Sequence, residues 1–204
     1  DQLLTESTRR NRLDSEYELE DTGIFAENRC FDVFAEYAKN DIDDILIRVT
    51  VVNRGPDPAK LALLPTLWFR NTWSWCASPE MPKLSESSGA IRAEHPTLGT
   101  FTLTFEDGPP LLFTENETNT ERLYGWQGKN IFYKDAFHEY LVAGKTAAVN
   151  PARQGTKACA LYQLDLAPGA QTVLRFRLAR ANSPSLAPGA AEAIFQKRIE
   201  EADQ

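Results

Sequence analysis

The strongest constraint on the fold is a regular alternation of apolar side chains in residues 43–53, DDILIRVTVVN. In an extended chain, one face of this segment carries Ile45, Ile47, Val49 and Val51. The turn residues 53–56 end the strand, and a second alternating segment, residues 30–41, precedes it. The two segments are predicted to pair as an antiparallel hairpin.

Short alternating segments continue along the chain. The apolar stretch 60–69 predicts a strand covered on both faces, with Pro65 at an edge or bulge, and further strands are predicted at 90–94, 100–105 and 111–114. A second hairpin is predicted between 157–166 and 171–180, joined by a turn at 167–170. Residues 134–144 and the residues after Pro188 predict helices.

The number and spacing of these segments indicate the fold class. About eight to ten strands joined by turns, without crossover helices, favour two packed antiparallel sheets. We therefore predict an all-β fold, a two-sheet antiparallel β-sandwich with short helices and a C-terminal helix. The polar, arginine-containing start, DQLLTESTRRNRL, lacks an initiator Met, which leads us to expect a fragment of a longer protein.

Charge and composition restrict the kinds of molecule that this chain is expected to bind. The formal net charge of -7 argues against nucleic acid or an anionic membrane surface. No apolar run is long enough for a membrane helix, and no signal peptide is visible, so a cytoplasmic location is expected. Three separated cysteines, Cys30, Cys76 and Cys159, are expected to be buried or half-buried thiols. The two histidines have no metal-binding spacing, so we expect neither a metal nor another cofactor.

The acidic and amide residues after the strand 111–114 are one candidate site. They are Glu115, Asn116, Glu117 and Asn119. Their side chains could hydrogen-bond a sugar, and two carboxyl groups of suitable separation are the requirement of glycosidase chemistry. Because acidic and amide residues at a strand end more often serve turns or interfaces, we expect a substrate-binding or domain-interface role and no catalytic residue.

Aromatic and basic residues supply the rest of the candidate site. Trp68 is expected in the core, whereas Arg70, Asn71, Trp73 and Trp75 follow the strand in a polar setting. We favour an interface role for Trp73 and Trp75 over sugar stacking, because tryptophan and arginine are enriched at interfaces. Arg153, in the loop AVNPARQGTK, is expected to be solvated or to dock against an acidic neighbouring surface.

Several motifs resemble one family. The stretches FDVFAEYAK, DILIRVTVVNRGP, LLPTLWFRNTWSW, LLFTENETN and AVNPARQGTKA are similar to the β-sandwich region of bacterial proteins related to glycoside hydrolase family 63, the mannosyl-oligosaccharide glucosidases. The resemblance implies a galactose-mutarotase-like supersandwich in residues 1–187 and a helix in 188–204 that leads toward an (α/α)6 barrel. It also implies that this barrel carries both catalytic carboxyl groups and is the partner of the sandwich.

Three functions remain open from the sequence. The leading hypothesis is a non-catalytic domain of a glucosidase-like enzyme that packs on the barrel and borders its oligosaccharide-binding cleft. The second is an autonomous carbohydrate-binding module, for which Trp73, Trp75 or Trp126 would have to form an exposed stacking platform. The third is a small enzyme that uses Glu115 and Glu117.

Overall fold

The computed structural model describes residues 1–75, 80–126, 128 and 132–204. Its strands are β1 (Phe31–Asp41), β2 (Asp44–Asn53), β3 (Ala59–Leu63), β4 (Thr66–Trp68), β5 (Lys83–Ser87), β6 (Ala90–His95), β7 (Gly99–Phe105), β8 (Leu111–Thr114), β9 (Gln154–Gly155), β10 (Lys157–Ala160), β11 (Tyr162–Leu166) and β12 (Gln171–Arg180). Its α-helices are α1 (Gln2–Arg9), α2 (Thr120–Tyr124), α3 (Ala136–Val142) and α4 (Ala190–Ala202). Cys76 lies outside the described residues.

Seven strands form the larger sheet, in the order β1-β2-β12-β7-β6-β5-β9. All neighbours are antiparallel, and the predicted hairpin of β1 and β2 is confirmed, with Phe31 opposite Asn53 at its open end. The buried Asn53 side chain holds the chain beyond that end, because its amide donates to the carbonyl oxygens of Asp57 and Leu166 at 2.8 and 2.9 Å.

Two smaller sheets form the second layer of the fold. One has the order β4-β10-β8, and the other pairs β11 with β3. Residues 60–69 therefore form two strands, which are interrupted between Leu63 and Thr66, where Pro65 lies. The prediction that this stretch is covered on both faces is wrong, because half-buried and exposed positions alternate along β3 and β4.

The predicted second hairpin is also wrong. The strand β11 pairs with β3, whereas β12 pairs with β2 and β7 in the larger sheet. The turn at 167–170, in which Gly169 adopts a positive φ of 69°, therefore carries the chain from one layer to the other. A short turn can join two strands that pair with each other or two strands in different layers. The long-range pairing of the strands decides between these outcomes.

The core lies between the two layers. Alternate residues of the larger sheet, such as Val51, Ile91 and Phe176, pack against Phe113 and Ala158 of the second layer. The fold is thus an all-β sandwich, as the alternation predicts. Each outer face carries a helix. Phe137 of α3 packs in a cluster with Leu112 and Cys159 on the second layer.

The helix α4 covers part of the outer face of the larger sheet. Its Phe195 is buried against Ala38 of β1 and Leu46 of β2. The guanidinium carbon of Arg48 lies 4.4 Å from the Phe195 ring centroid, and the Arg48 side chain also donates to Glu192 of α4 at 2.7 Å. The predicted helices in residues 134–144 and after residue 188 are observed, whereas α1, α2, β5 and β9 were not predicted.

Candidate functional site

The first part of the candidate site is the loop that follows β4. In this loop Trp73–Trp75 form one turn of 3-10 helix. The Ser74 backbone N–H donates to the Asn71 side-chain oxygen at 3.2 Å, which supports the start of this turn. The loop is therefore held in shape by its own polar residues.

Two asparagine side chains join this loop to the loop that follows β8. Asn71 donates its amide to the Asn116 carbonyl oxygen at 3.1 Å, and Asn116 donates its amide to the Phe69 carbonyl oxygen at 2.8 Å. Both side chains are half-buried. This reciprocal pair gives both backbone carbonyl groups a donor and joins the two loops to each other.

Trp73 and Glu117 form a third contact between the same loops. The Trp73 indole N–H donates to Glu117 Oε1 at 2.9 Å, and Trp73 is only 6% exposed. A buried indole N–H requires an acceptor, and this carboxylate supplies it. Trp73 is therefore an internal anchor and cannot form a stacking platform for a sugar in this structure.

The Glu115 carboxylate is held by a different residue, Thr156. The Thr156 hydroxyl donates to Glu115 Oε2 at 2.7 Å and accepts from the Asn116 backbone N–H at 2.8 Å. Thr156 is almost fully buried. A small groove of about 340 Å³ lies beside Glu115 and is also lined by Met81, Lys83 and Gln154.

We call the cluster Asn71, Trp73, Glu115, Asn116, Glu117 and Thr156 the junction. The register of the second layer brings its parts together, because Lys157 of β10 lies opposite both Trp68 of β4 and Thr114 of β8. Gly155 permits the close approach of the strands. A Cβ atom on Gly155 would overlap the Thr114 carbonyl group, with 2.8 Å to its carbon.

Asn119 lies beyond the junction and caps α2. Its side-chain oxygen accepts from the Arg122 backbone N–H at 3.0 Å, and its amide approaches both Asp135 carboxylate oxygens at 3.2 and 3.3 Å. Arg122 also pairs with Asp135 at 3.0 Å. These residues border an open groove of about 520 Å³ in which acidic and basic groups already neutralise one another.

Arg153 is not part of the junction. It adopts a positive φ of 53° and forms an ion pair with Glu86 on β5. The backbone also contacts β5, since the Glu86 N–H donates to the Arg153 carbonyl oxygen at 3.1 Å. Its guanidinium therefore has a partner within this chain.

Two tryptophan side chains next to the junction, those of Trp68 and Trp75, are exposed. Trp75 is 69% exposed, and the Arg70 guanidinium carbon lies 5.1 Å from its ring centroid. The prediction of a core position for Trp68 is wrong, because this residue is 55% exposed. Leu67 packs toward the core, and in a strand its neighbour Trp68 must then point outward. We call Trp68, Arg70 and Trp75 the aromatic surface.

Two residues of β10, the strand paired with β4, have perturbed acidities. Burial lowers the pKa of Lys157, whose ammonium donates to the Lys134 carbonyl oxygen at 2.8 Å. Burial raises the pKa of Cys159 to about 12, so this thiol is protonated at neutral pH and unsuited to nucleophilic attack. Within the described ranges, no group of three or more His, Cys, Asp or Glu side chains is arranged to hold a metal ion.

Five of the six junction residues were selected from the sequence as substrate-binding or interface candidates, but Thr156 was not selected. The sequence places this residue between a glycine and a lysine, and nothing there marks it as buried. Its role follows from β10 lying between β4 and β8, where the Thr156 backbone donates to the Thr114 carbonyl oxygen at 3.1 Å and accepts from Phe69 at 3.2 Å.

Fold and junction together define an antiparallel β-sandwich domain whose polar loops are bound to each other and whose aromatic surface is exposed. No family model matches the chain. An uncharacterized protein of Saccharomyces cerevisiae, YMR196W, is 33% identical over 248 residues, which cover 99% of this chain and 23% of the yeast protein. The chain thus spans about a quarter of the length of that relative. Among the helices of the described ranges, none has the length and apolarity needed to cross a bilayer.

Proposed function

We propose that this chain is a non-catalytic β-sandwich domain of a longer protein and that it packs on a neighbouring domain through the aromatic surface. The junction carries this proposal. Glu115 and Glu117, the carboxylates considered for catalysis, accept hydrogen bonds from Thr156 and Trp73, so both serve the architecture of the loops. Trp68 and Trp75, whose rings are exposed, belong to β4 and to the loop after it, which the junction holds in place.

The choice of an interface rests on the chemistry of these side chains. Exposed tryptophan and arginine side chains are enriched at protein interfaces and dominate their binding energy. In the proposed protein, the neighbour covers Trp68 and Trp75, and Arg70 donates to a carboxylate or carbonyl group of that neighbour. The relative YMR196W, which is longer than this chain, supports a domain role.

The proposed neighbour is an (α/α)6 barrel with glycoside hydrolase activity, and the proposed location is the cytoplasm. This part rests on the resemblance to glycoside hydrolase family 63. The barrel would hold the acid and the base of the reaction, while this domain would stabilise it and form one wall of the oligosaccharide cleft.

Hydrogen exchange tests the docking proposal. The backbone amides of residues 68–75 would be compared in the 204-residue chain and in the longer gene product. We expect slower exchange of these amides in the longer protein, because a covering domain excludes water from the loop. The amides of β6 serve as a control, because they are paired on both sides within the sandwich. Equal exchange at 68–75 in both proteins would oppose the proposal.

A second candidate function is carbohydrate binding by the isolated domain. One observation favours it: Tyr124 and Trp126 are 60% and 69% exposed, and their ring centroids are 5.6 Å apart. Such rings can stack on sugar faces. Affinity electrophoresis in gels that contain a soluble α-glucan tests this candidate. Retardation of the chain that is lost in Trp126→Ser but kept in Trp75→Ser would favour a binding module over the interface proposal.

A further inference from the structure

The strand β1 forms one end of the seven-stranded sheet. In the described part of the chain, β2 is its only strand neighbour. Its middle carries large exposed apolar side chains, with Val33 at 48%, Phe34 at 50% and Tyr37 at 68% exposure. Edge strands of natural proteins are usually short or guarded by charges, because their unpaired N–H and C=O groups invite another strand. An eleven-residue edge with three large exposed side chains of apolar or aromatic type departs from that rule, although it also carries charged residues.

We propose that two copies of this chain associate by pairing β1 with β1 in antiparallel orientation, with Ala35 on the twofold axis. The paired segment is residues 31–39, which ends before the register irregularity between Lys39 and Asp41. In this arrangement the residue numbers of opposing residues sum to 70. The two larger sheets would join into one continuous sheet that spans both copies.

The side chains of β1 select this register. Val33 of each copy lies opposite Tyr37 of the other copy. These two pairs each join a β-branched and an aromatic residue, a combination that stabilises antiparallel strands. Phe34 then lies opposite Glu36. A shift of two residues in one direction would place Asp32 opposite Glu36, and a shift in the other direction would place Glu36 opposite itself. Both shifts oppose like charges, which destabilises strand pairs.

Other shifts are less favourable still. A shift by one residue matches the core-side face of one strand with the outer face of the other. A shift by four residues leaves only five of the nine residues of the segment 31–39 paired. Because the favoured register matches the strand with itself over its full regular length, a second copy of the chain is the occupant that the edge fits best.

The helix α4 leaves room for this pairing. It is anchored by Phe195 over Ala38, and in the proposed register Ala38 lies opposite Asp32 of the other copy. The two Ala38 residues are then six positions apart along the strands, or about 20 Å. A helix with its side chains is about 10–12 Å across, so both α4 helices can remain in place.

Sedimentation equilibrium tests the association. We expect the 204-residue chain to form dimers with a dissociation constant between about 1 and about 100 µM, the range of modest protein affinities. Val33→Lys should raise the dissociation constant at least tenfold, because it replaces an apolar pair with an unpaired charge. Val142→Lys, at a 73% exposed position on α3, should leave it unchanged. A chain that stays monomeric throughout, or equal effects of the two variants, would overturn the proposal.

A cysteine scan tests the register. With Cys30 and Cys76 changed to serine, Ala35→Cys should give a disulfide-linked dimer on mild oxidation, because directly opposed strand residues have Cα atoms about 4.5–5.5 Å apart. Val33→Cys should not link to itself, since its opposite residue is Tyr37. Cross-linking through Val33→Cys, or none through Ala35→Cys, would contradict the proposed register. Circular dichroism would confirm that each variant is folded.

Discussion

Replacing Asp44 with alanine is expected to destabilise the fold by about 3 kcal/mol, because it breaks a buried ion pair. Arg177 donates to both Asp44 carboxylate oxygens at 2.8 Å, and their side chains are 16% and 7% exposed. Asn40 donates to the same carboxylate at 2.6 Å. Without Asp44, the guanidinium keeps one bond, to the Pro184 carbonyl oxygen at 2.8 Å, so the cost should fall at the lower end of the usual range.

Urea denaturation followed by circular dichroism measures this cost. A loss of about 3 kcal/mol lowers the folding equilibrium constant roughly 150-fold, and the melting temperature of a domain of this size by about 6 to 12 °C. The adjacent Asp43 is the matched control. It pairs with Arg180 at 2.6 Å, but these side chains are 39% and 52% exposed, so Asp43→Ala should cost less than about 1 kcal/mol. Equal losses in the two variants would refute the reasoning.

The same ion pair predicts a pH dependence. The hydrogen bonds from Arg177 lower the pKa of Asp44 relative to the unfolded chain. A carboxyl group with a lowered folded-state pKa stabilises the fold above its unfolded pKa of about 3.9 and loses that contribution as pH falls through the folded value. The stability difference between the unmodified chain and Asp44→Asn should therefore be constant near neutrality and narrow below about pH 4.

Three further substitutions test the junction and the helix α4. Trp73→Phe removes the donor to Glu117 and should cost about 2 kcal/mol in urea denaturation, and a loss below about 0.5 kcal/mol would contradict the anchoring role. Gly155→Ala forces a Cβ against the Thr114 carbonyl group and should cost about 3 kcal/mol, whereas an unchanged midpoint would contradict the close approach. Phe195→Ala should cost about 3 to 4 kcal/mol and expose α4 to proteolysis, whereas unchanged protease resistance would show that this residue does not anchor the helix.

The elements that the sequence predicts correctly are those in which burial follows a local period. The alternation in β2 and β12 reflects the core directly, because Val49 and Phe176 face the second layer. The hairpin of β1 and β2 also follows from local spacing. By contrast, the partner of β11 is β3, about a hundred residues earlier, and no local pattern identifies it. The turn at 167–170 suggested a hairpin because local information favours local pairing.

The candidate site shows the same limit. Polar residues after β4 and β8 were predicted to form a site, but their mutual contacts depend on β10 lying between these strands. The sequence therefore could not distinguish Trp73, which is buried against Glu117, from the exposed Trp75. Trp68 was misplaced because an apolar stretch suggests burial on both faces, whereas β4 is an edge strand with one solvent-facing side. The glycoside hydrolase resemblance stays a prediction.

The central proposal is that this chain is a non-catalytic domain that packs on a neighbouring domain, and it predicts that the chain by itself neither cleaves nor binds sugars. An NMR titration of the 204-residue chain with small α-glucosides tests it most directly, because the tryptophan indole signals and the anomeric signals of the sugars are observed in the same tube. We predict that both sets of signals remain unchanged. Shifted indole signals would indicate a carbohydrate-binding module, and the appearance of free glucose would show that the chain is itself a glucosidase.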